Sequence, residues 1–362
     1  MSAPVVLGAG PAGCLAATLL ARAGGRPVLV DRHVEVGDAL CGGFMSWRTV
    51  ARLRDNGLDV AELGAHRVMK LALFSGGREA HNRLPAAGYG LSRHALDTAM
   101  RAQAVEAGAT LAIDRIRSVE PGIALGDTQD WCSDALFLAS GKYDVRGLPR
   151  PRAAEDAALG LRIRLPGSAE LTKLLANTIE LHFFAGGYAG IVLQEERDGH
   201  PSANVCLALR KSRLAMAGGT PAALFAELGR EYPAFGSRMA FAPDDIAADT
   251  IGAVPYGWIA RDTAPGLFRL GDQAAVIPSL AGEGMAIALA SAEAAVRSYT
   301  RGGGAAAPRY QRAFARQAFR PVKTAKAIWN VAETARGGAT LTTLARTAPP
   351  LATLAMRASR IG

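Results

Sequence analysis

Paired cysteines, metal-ligand spacings and long apolar runs are all missing from this sequence. The four cysteines, Cys14, Cys41, Cys132 and Cys206, are scattered without a CxxC pair, so we expect a reduced, cytoplasmic protein. The six histidines show no HxH or HExxH spacing, and we predict no metal site. No apolar run reaches the roughly 18 to 20 residues that are needed to span a bilayer.

Targeting and nucleic-acid motifs are missing as well. The N-terminus has neither a basic segment nor a cleavage site, so we expect no secretory signal. The net charge of +9 is accompanied by no recognised nucleic-acid motif, and we expect no nucleic-acid partner.

Acidic residues are nearly absent from the C-terminal part. Residues 301–362 carry eleven Lys or Arg and one acid, Glu333, whereas residues 1–300 carry thirty basic and thirty-one acidic residues. Read as a helix, the basic stretch is amphipathic, which suits peripheral contact with an anionic membrane surface. It equally suits a helix that packs its apolar stripe on the protein and keeps its charges in water, and we prefer this second interpretation.

What the sequence does contain points to a nucleotide. With 362 residues, 49% hydrophobic and 41 glycines, it has a globular α/β composition. A strand-like run, Val5–Leu7, precedes Gly8, Gly10 and Gly13, and an apolar helix-like run follows. In this pattern the first glycine makes a tight turn, the second lets the backbone approach a pyrophosphate, and the third lets helix and strand pack closely. The pyrophosphate would lie at the helix N-terminus, where free N–H groups favour negative charge.

An acidic residue completes this fingerprint. Asp31 ends the next strand-like run, Val28–Asp31, 18 residues after Gly13. A ribose hydroxyl acceptor is expected at about this spacing. A second GxGxxG with its own strand and helix is missing, so the chain has no dedicated second domain for NAD(P)H, which stays a candidate transient electron donor.

Two later motifs indicate that the nucleotide is FAD. Gly271-Asp272 closes a strand-like run and places a carboxylate at a turn, where it can bind a sugar or ribitol hydroxyl. Gly282-Glu283-Gly284-Met285 then opens a long alanine-rich helix. Its free N–H groups suit the flavin pyrimidine edge, which gains negative charge on reduction.

Apolar periodicity places the remaining elements. Leu91–Gly108 has helical spacing with Ser92 as its N-cap, residues 160–210 resemble an antiparallel sheet, and Pro349-Pro350 is expected to break the helical C-terminal part. We predict an α/β fold in which a Rossmann-type (GR2-like) FAD-binding domain carries an inserted antiparallel substrate domain and a C-terminal helical segment. The predicted boundaries are 1–65, 92–150 and 251–304 for the FAD-binding domain, 66–91 and 151–250 for the substrate domain, and 305–362 for the basic segment.

These motifs together resemble a known family. VVLGAGPAGCLAATLLARAG, CGGF, LSRHALD, LASGKYDVRG, IELHFFAGGYAGI and GDQAAVIPSLAGEGMAIAL are similar to the geranylgeranyl-reductase-like branch of FAD-dependent oxidoreductases. That branch shares its fold with para-hydroxybenzoate-hydroxylase-type monooxygenases and flavin-dependent halogenases. The resemblance covers roughly residues 4–300.

The resemblance implies a set of cofactor contacts. Gly8, Gly10 and Gly13 would hold the pyrophosphate, Asp31 with Arg32 the ribose, and Arg93 the phosphates. Asp272 would hold the ribitol or pyrophosphate region. The other implied contacts are Ala12 at the glycine turn, Cys41, Gly42 and Gly43 along the ring, Ile116, Ala139, Ser140 and Gly141 at the adenine end, and Gly271, Gly282, Glu283, Gly284 and Met285 near the ribitol and the isoalloxazine.

The sequence also departs from this family. Ser140-Gly141 stands where hydroxylases of the fold carry Asp-Gly, which disfavours a self-reducing aromatic hydroxylase. The halogenase WxWxIP block is missing, and Trp258 stands alone. In place of the YxWxFP pattern of prenyl reductases, only Tyr188 remains, so the substrate pocket is not that of a typical prenyl reductase.

Hydride transfer needs little from the protein beyond orientation and a proton. Cys41 and Tyr188 are our candidate catalytic residues, each set against the simpler interpretation of a pocket or sheet residue. Glu283 could be a base but more often such a residue caps its helix, and His182 is expected in the core. We predict an FAD-dependent oxidoreductase that acts by hydride transfer at flavin N5 on a hydrophobic unsaturated or ring-containing molecule, such as a prenyl, polyketide or quinone-like compound. Two alternatives stay open: a monooxygenase using a C4a-hydroperoxide, and an electron-transfer partner without its own small substrate.

Overall fold

The computed structural model describes residues 3–151, 155–197, 199–243 and 245–362. The gaps at 152–154, 198 and 244 fall within the predicted substrate domain, so that prediction lies in part outside the described residues.

The described residues form sixteen strands and eleven α-helices. The strands are β1 (Val5–Leu7), β2 (Val28–Asp31), β3 (Phe44–Met45), β4 (His66–Ser75), β5 (Arg78–Gly90), β6 (Thr110–Ile113), β7 (Ser118–Glu120), β8 (Ile123–Leu125), β9 (Asp130–Cys132), β10 (Leu136–Leu138), β11 (Ala158–Leu165), β12 (Thr178–Phe184), β13 (Gly187–Arg197), β14 (His200–Arg210), β15 (Asp249–Ile251) and β16 (Leu267–Arg269). The helices are α1 (Pro11–Arg22), α2 (Trp47–Asp55), α3 (Arg93–Glu106), α4 (Ala169–Leu175), α5 (Lys211–Met216), α6 (Pro221–Glu231), α7 (Pro233–Met239), α8 (Gly284–Gly302), α9 (Ala307–Ala332), α10 (Gly337–Thr347) and α11 (Pro349–Ala358).

A five-stranded parallel sheet carries the N-terminal fingerprint. Its strand order is β16-β10-β1-β2-β6, and each neighbouring pair runs parallel. The strands β1 and β10 are buried along their whole length, as expected for a parallel sheet covered on both faces. Helices α1, α3, α8 and α9 contribute to the core on one face, and the small sheet β7-β8-β9 covers the other. The predicted Rossmann-type sheet is confirmed.

A second, eight-stranded sheet has the order β15-β11-β14-β13-β12-β4-β5-β3. All its pairings are antiparallel except that of β4 with β12. This parallel pairing, called the seam below, corrects the prediction of a purely antiparallel sheet. The two strands come from separate insertions and meet only in space, so no local pattern specifies their relative direction.

Helix ends follow local chemistry at several positions. The Ser92 hydroxyl accepts a hydrogen bond from the backbone N–H of Ala95, which confirms the predicted N-cap. The helical C-terminal part is interrupted at Ala348, directly before Pro349-Pro350, as expected, and a new helix, α11, begins at Pro349. A proline fits there because the first turn of a helix needs no N–H donor from that position.

The C-terminal helices pack on the rest of the chain. The helix α9 buries Tyr310, Phe314, Val322 and Trp329, and α10 folds back against β4 and β5. Among the described residues, no helix combines the length and the apolar character that crossing a membrane requires.

Candidate functional site

One continuous cavity of about 370 Å³ connects the two large sheets. At one end it is lined by the glycine turn, beginning at Gly10, and by Gly282 and Gly284 at the start of α8. At the other end it is lined by apolar side chains of the eight-stranded sheet and of α9, α10 and α11, namely Leu71, Leu73, Leu84, Ile179, Leu181, Phe183, Ile328, Leu341, Leu344, Leu351 and Met356.

Two glycines of the turn, Gly8 and Gly13, are packed too closely for any side chain. Gly8 has φ of +110°, in the region that favours glycine. A Cβ on Gly13 would lie 1.8 Å from the Gly8 carbonyl oxygen, so helix and strand touch at this point. Gly10 faces the cavity, and a Cβ there would lie 3.4 Å from the Arg93 guanidinium. The contact at Gly13 fits the packing role that the spacing predicted, and the pyrophosphate contact of Gly10 stays a prediction.

Asp31 and Arg32, the candidates for the ribose, do not line the cavity. Asp31 ends β2, and its carboxylate accepts hydrogen bonds from the backbone N–H groups of Ala9 at 2.7 Å and His33 at 2.9 Å. The exposed Arg32 stacks over the ring of Tyr143, 4.6 Å from its centroid. Asp31, the acid that the spacing indicated, therefore links the end of β2 to the glycine turn.

Two further residues expected at the adenine end have structural contacts. Ile116 packs against the core cluster on the far face of the parallel sheet. The Ser140 hydroxyl donates to the Tyr143 carbonyl at 2.9 Å, while Ala139 and Gly141 line the cavity.

Arg93 lies at the first turn of α3 and faces the cavity. Its guanidinium donates to both oxygens of Asp97, at 2.8 and 2.6 Å. Burial opposes its charge, but Asp97 outweighs burial and raises the pKa of Arg93, so the side chain stays cationic. A fixed cation next to Gly10 suits the phosphates that the resemblance implies. The partner Asp97 was not identified from the sequence, although the i,i+4 spacing is its signal.

Side chains from other elements bind the backbone carbonyls of the loop that carries Cys41, Gly42 and Gly43. Asp38 and Ala39 accept from Arg162 at 2.8 and 3.0 Å, Leu40 accepts from Lys142 at 2.7 Å, and Cys41 accepts from Asn204 at 3.1 Å. Four successive carbonyls are thus bound by side chains from β11, β14 and the segment after β10. The sequence carries no local signal for these anchors because they are between 102 and 163 residues away.

The Gly-Asp and Gly-Glu-Gly motifs line the same cavity as this loop. Asp272 lines the cavity, and its carboxylate accepts no hydrogen bond from the described residues, while Arg150 binds its carbonyl. Gly282 has φ of +64°. Gly284 is exposed to the cavity at the first turn of α8, with no atom within 4 Å of a Cβ built there. Met285 and Gly271 line the same region.

Glu283 does not serve as a side-chain cap or as a cavity-facing base. It is fully buried and accepts from Ser46 at 2.6 Å, from the Arg360 guanidinium at 2.7 Å and from the Ile361 backbone N–H. Burial raises the pKa of Glu283, and the cationic Arg360 opposes that rise. The sequence did not identify this link, which ties the start of α8 to the C-terminal end of the chain.

The two candidate catalytic residues both line the cavity. Cys41 is half-buried. Tyr188 is buried on β13 and donates to the Ser279 hydroxyl at 2.9 Å, and burial raises its pKa well above the ordinary range. Cys206 also lines the cavity, although the sequence did not indicate it. Burial raises the pKa of its thiol to about 12.

His182 is a core residue, as expected. It is buried, its imidazole lies 2.9 Å from the Glu180 carboxylate, and its ring stacks on Phe74 at 4.6 Å. Its neighbours Leu181 and Phe183 face the cavity, because successive strand residues point to opposite faces.

The arrangement fits an extended dinucleotide. The glycine cradle excludes side chains, Arg93 supplies a fixed cation, Asp272 supplies an available acceptor, and the N–H groups at the start of α8 face the cavity. Groups of this kind bind a pyrophosphate, a ribitol chain and the pyrimidine edge of a flavin.

Comparisons with known proteins agree with this geometry. Residues 2–119 match a family model described as FAD binding domain. A 112-residue segment is 35% identical to menaquinone reductase from Mycobacterium tuberculosis. That match covers 30% of this chain and 28% of the relative, so it spans little more than a quarter of the curated protein.

Solved structures match over nearly the whole chain. The flavin-dependent brominase Bmp2 gives a TM-score of 0.77 at 15% identity, covering 98% of this chain and 92% of that one. PqsL from P. aeruginosa in complex with 2-aminobenzoylacetate gives 0.74 at 18% identity, covering 94% and 98%. A geranylgeranyl bacteriochlorophyll reductase-like protein from Thermoplasma acidophilum gives 0.68 at 17% identity, covering 97% and 98%. At these identities the likeness concerns the fold. Residues 2–119 are thus similar to an FAD binding domain, and the described residues share the fold of these solved structures.

Proposed function

We propose that this protein is an FAD-dependent oxidoreductase whose substrate is a hydrophobic, unsaturated or ring-containing small molecule. One observation carries the proposal: the residues that fit FAD and an apolar chamber line the same cavity. A mostly apolar pocket with few polar groups is typical of sites for apolar ligands. Prenyl, polyketide and quinone-like compounds all have this character, and the menaquinone reductase segment match favours the prenyl and quinone classes.

When bound, FAD supplies hydride transfer at its N5 position. The protein's own residues would bind and orient. Arg93 holds negative charge beside the glycine turn, Asp272 accepts from a sugar hydroxyl, and the start of α8 stabilises charge on the pyrimidine edge. Cys41 and Tyr188 are the proposed groups that shape the substrate side of the cavity or supply a proton.

The assignment of Asp272 to the cofactor is tested by substitution. We expect Asp272→Ala to purify largely colourless, because the carboxylate that accepts from the cofactor is lost. The exposed Asp262 offers a matched control, and Asp262→Ala should keep its flavin. The ratio of flavin to protein absorbance measures both. A fully yellow Asp272→Ala protein would count against the assignment.

The reaction type is tested with the intact flavoprotein and menadione as a probe quinone. After reduction by NAD(P)H, our proposed transient donor, or by dithionite, mixing with menadione without oxygen should reoxidise the flavin and give a reduced product. In a second experiment with labelled dioxygen, incorporation of the label into the product would instead support a monooxygenase. This alternative is considered because a probable FAD-dependent monooxygenase has a similar fold. No turnover of any small molecule would support an electron-transfer partner.

We also propose that the C-terminal helices contact an anionic membrane surface. Leu344 on α10 and Leu351 and Leu354 on α11 are 43%, 49% and 61% exposed. Leu344 and Leu351 also line the cavity, so the cavity reaches solvent at an apolar rim. Arg346 and Arg357 on the same helices are exposed, and residues 334–362 contain no acid. An apolar rim beside cations matches a bilayer with anionic lipid.

Vesicle co-sedimentation tests this contact. The protein should bind vesicles that contain phosphatidylglycerol more strongly than vesicles of phosphatidylcholine alone. The double variant Leu351→Ser with Leu354→Ser should lose most of this binding. Val34 is 74% exposed in the segment after β2, outside the C-terminal helices, so Val34→Ser is the control. Equal binding by all three proteins would leave only the packing role of the segment.

A further inference from the structure

The geometry points to a recognition site for an acceptor oxygen, such as a ketone or quinone carbonyl, at three hydroxyl groups of the cavity. These belong to Tyr188, Ser279 and Tyr256. The inference rests on the proposed function, because it names a chemical feature that the otherwise apolar substrate must carry.

The three hydroxyls form one cluster. Tyr188 donates to the Ser279 hydroxyl at 2.9 Å, and the Tyr256 hydroxyl lies 2.9 Å from the same oxygen. All three residues line the cavity. Ser279 is exposed to it, whereas Tyr188 is buried behind. The cluster therefore presents a polar face within a chamber whose other walls are mainly apolar.

A count of protons shows that one donor is left over. Three hydroxyls carry three hydrogens, and the cluster contains two internal hydrogen bonds. Tyr188 uses its hydrogen on Ser279. If Tyr256 also donates to Ser279, the Ser279 hydrogen is free, and if Ser279 donates to Tyr256, the Tyr256 hydrogen is free. In both arrangements one hydroxyl of this pair has no acceptor among the described residues.

The cluster is held rigidly in place. The buried Trp329 of α9 lies against both phenol rings, at centroid distances of 5.8 Å from Tyr188 and 5.6 Å from Tyr256. Ser279 lies three residues before Gly282, in the short 3₁₀ turn that leads into α8. A fixed donor at this junction can orient a substrate between the flavin-fitting residues and the apolar wall.

The protonation state supports a donor role. Burial raises the pKa of Tyr188 and of Tyr256 above the ordinary phenol range, so both phenols stay protonated at neutral pH. Because the hydrogen of Tyr188 is committed to Ser279, Tyr188 acts as a positioning residue. Ser279 or Tyr256 provides the hydrogen that meets the ligand.

Binding of two probes with one ring skeleton tests the inference. Menadione carries two carbonyl oxygens, and 2-methylnaphthalene carries none. Affinity for the FAD-loaded, oxidised protein is read from the change in flavin absorbance. We expect the native protein to prefer menadione. The double variant Ser279→Ala with Tyr256→Phe removes both hydroxyls that can present the free hydrogen, and it should weaken menadione binding about five- to tenfold, as the loss of one hydrogen bond predicts. Each single variant leaves one of these hydroxyls in place and should weaken menadione binding less. Binding of 2-methylnaphthalene should stay the same.

Tyr299→Phe is the matched control, because it removes a phenol hydroxyl on α8 that does not line the cavity. Its preference between the probes should equal that of the native protein. Equal loss of both probes in the Ser279 and Tyr256 variants, or equal affinity of the native protein for both probes, would overturn the acceptor-oxygen site and leave the proposed function standing. Failure of the flavin-loaded protein to bind either probe would overturn the hydrophobic substrate class together with this site.

Discussion

At the scale of single residues, the surroundings decide what a carboxylate does. Asp114 accepts from three backbone N–H groups and from the indole of Trp131, and it organises the loop between β8 and β9. Asp272 has no such partner and lines the cavity. Glu283 is buried against Arg360. Three acids of similar chemistry therefore have different positions: Asp114 organises a loop, Asp272 lines the cavity, and Glu283 anchors the C-terminal end of the chain.

Asp114 predicts a loss of stability in acid. Burial by itself would raise the pKa of Asp114, but the hydrogen bonds from Trp131 and the loop outweigh it and hold the pKa at about 2. Because the folded value lies below the unfolded value of about 3.9, the contribution is complete above about pH 4 and is lost as the pH falls towards 2. Urea unfolding across this range should show a decline of about 1 to 2 kcal/mol that Asp114→Asn removes. The exposed Asp55→Asn variant should keep the decline, and an unchanged slope in Asp114→Asn would contradict this role.

At the scale of elements, the presence of helices could be predicted from the sequence, whereas the surfaces on which they pack could not. The amphipathic spacing of the basic C-terminal segment correctly indicated a helix, found as α9. Nothing in that spacing indicated that Trp329 would support Tyr188 and Tyr256, or that the residues after α11 would reach Glu283. Periodicity reports which face of a helix is apolar, and it does not report the surface against which that face packs.

The link between Arg360 and Glu283 predicts a large cost when it is broken. Arg360→Met would leave the Glu283 carboxylate buried without its cation, and removal of one partner of a buried pair costs about 3 to 5 kcal/mol. The change in free energy of unfolding in urea measures this cost. Arg357→Met, three residues earlier on α11, where the side chain is exposed, is the matched control. The double variant Glu283→Gln with Arg360→Met should recover part of the loss. If Arg360→Met is no more destabilising than Arg357→Met, the anchor is not important for stability.

At the scale of the whole molecule, the cavity joins parts that are distant in sequence. Its walls come from the glycine turn, the eight-stranded sheet, the start of α8 and the C-terminal helices. Neither the FAD-fitting end nor the apolar end is complete within one continuous segment. The boundaries predicted for the domains remain a prediction, but the two inserted segments join one sheet through β4 and β12.

This shared cavity predicts how the cofactor affects unfolding. FAD that binds only the folded protein should stabilise it by about 2.7 kcal/mol at a free concentration one hundred times the dissociation constant. Because all parts line one cavity, we expect thermal unfolding to show a single transition that moves to higher temperature as FAD is added to the deflavinated protein. Riboflavin, which lacks the pyrophosphate and adenosine, is the control and should shift the transition less. Two transitions, of which FAD moves only one, would contradict this expectation.

The sequence by itself determined the parts of this protein that depend on neighbours along the chain. The strand, the three glycines and Asp31 specify a dinucleotide turn, because each role depends on backbone geometry within some thirty residues. Gly-Asp and Gly-Glu-Gly likewise specify a turn and a helix start. Ser92 was recognised as a cap for the same local reason.

Only the tertiary structure decided the parts that depend on contacts between distant segments. The parallel seam between β4 and β12, the side chains that bind the carbonyls of residues 38–41, the buried pair of Glu283 and Arg360, and the hydroxyl cluster around Ser279 all join residues that lie tens to hundreds of positions apart. Their partners are chosen by burial and by the need to satisfy buried polar groups once the chain has folded. Neither a periodic pattern nor a short motif specifies which distant residues become these partners.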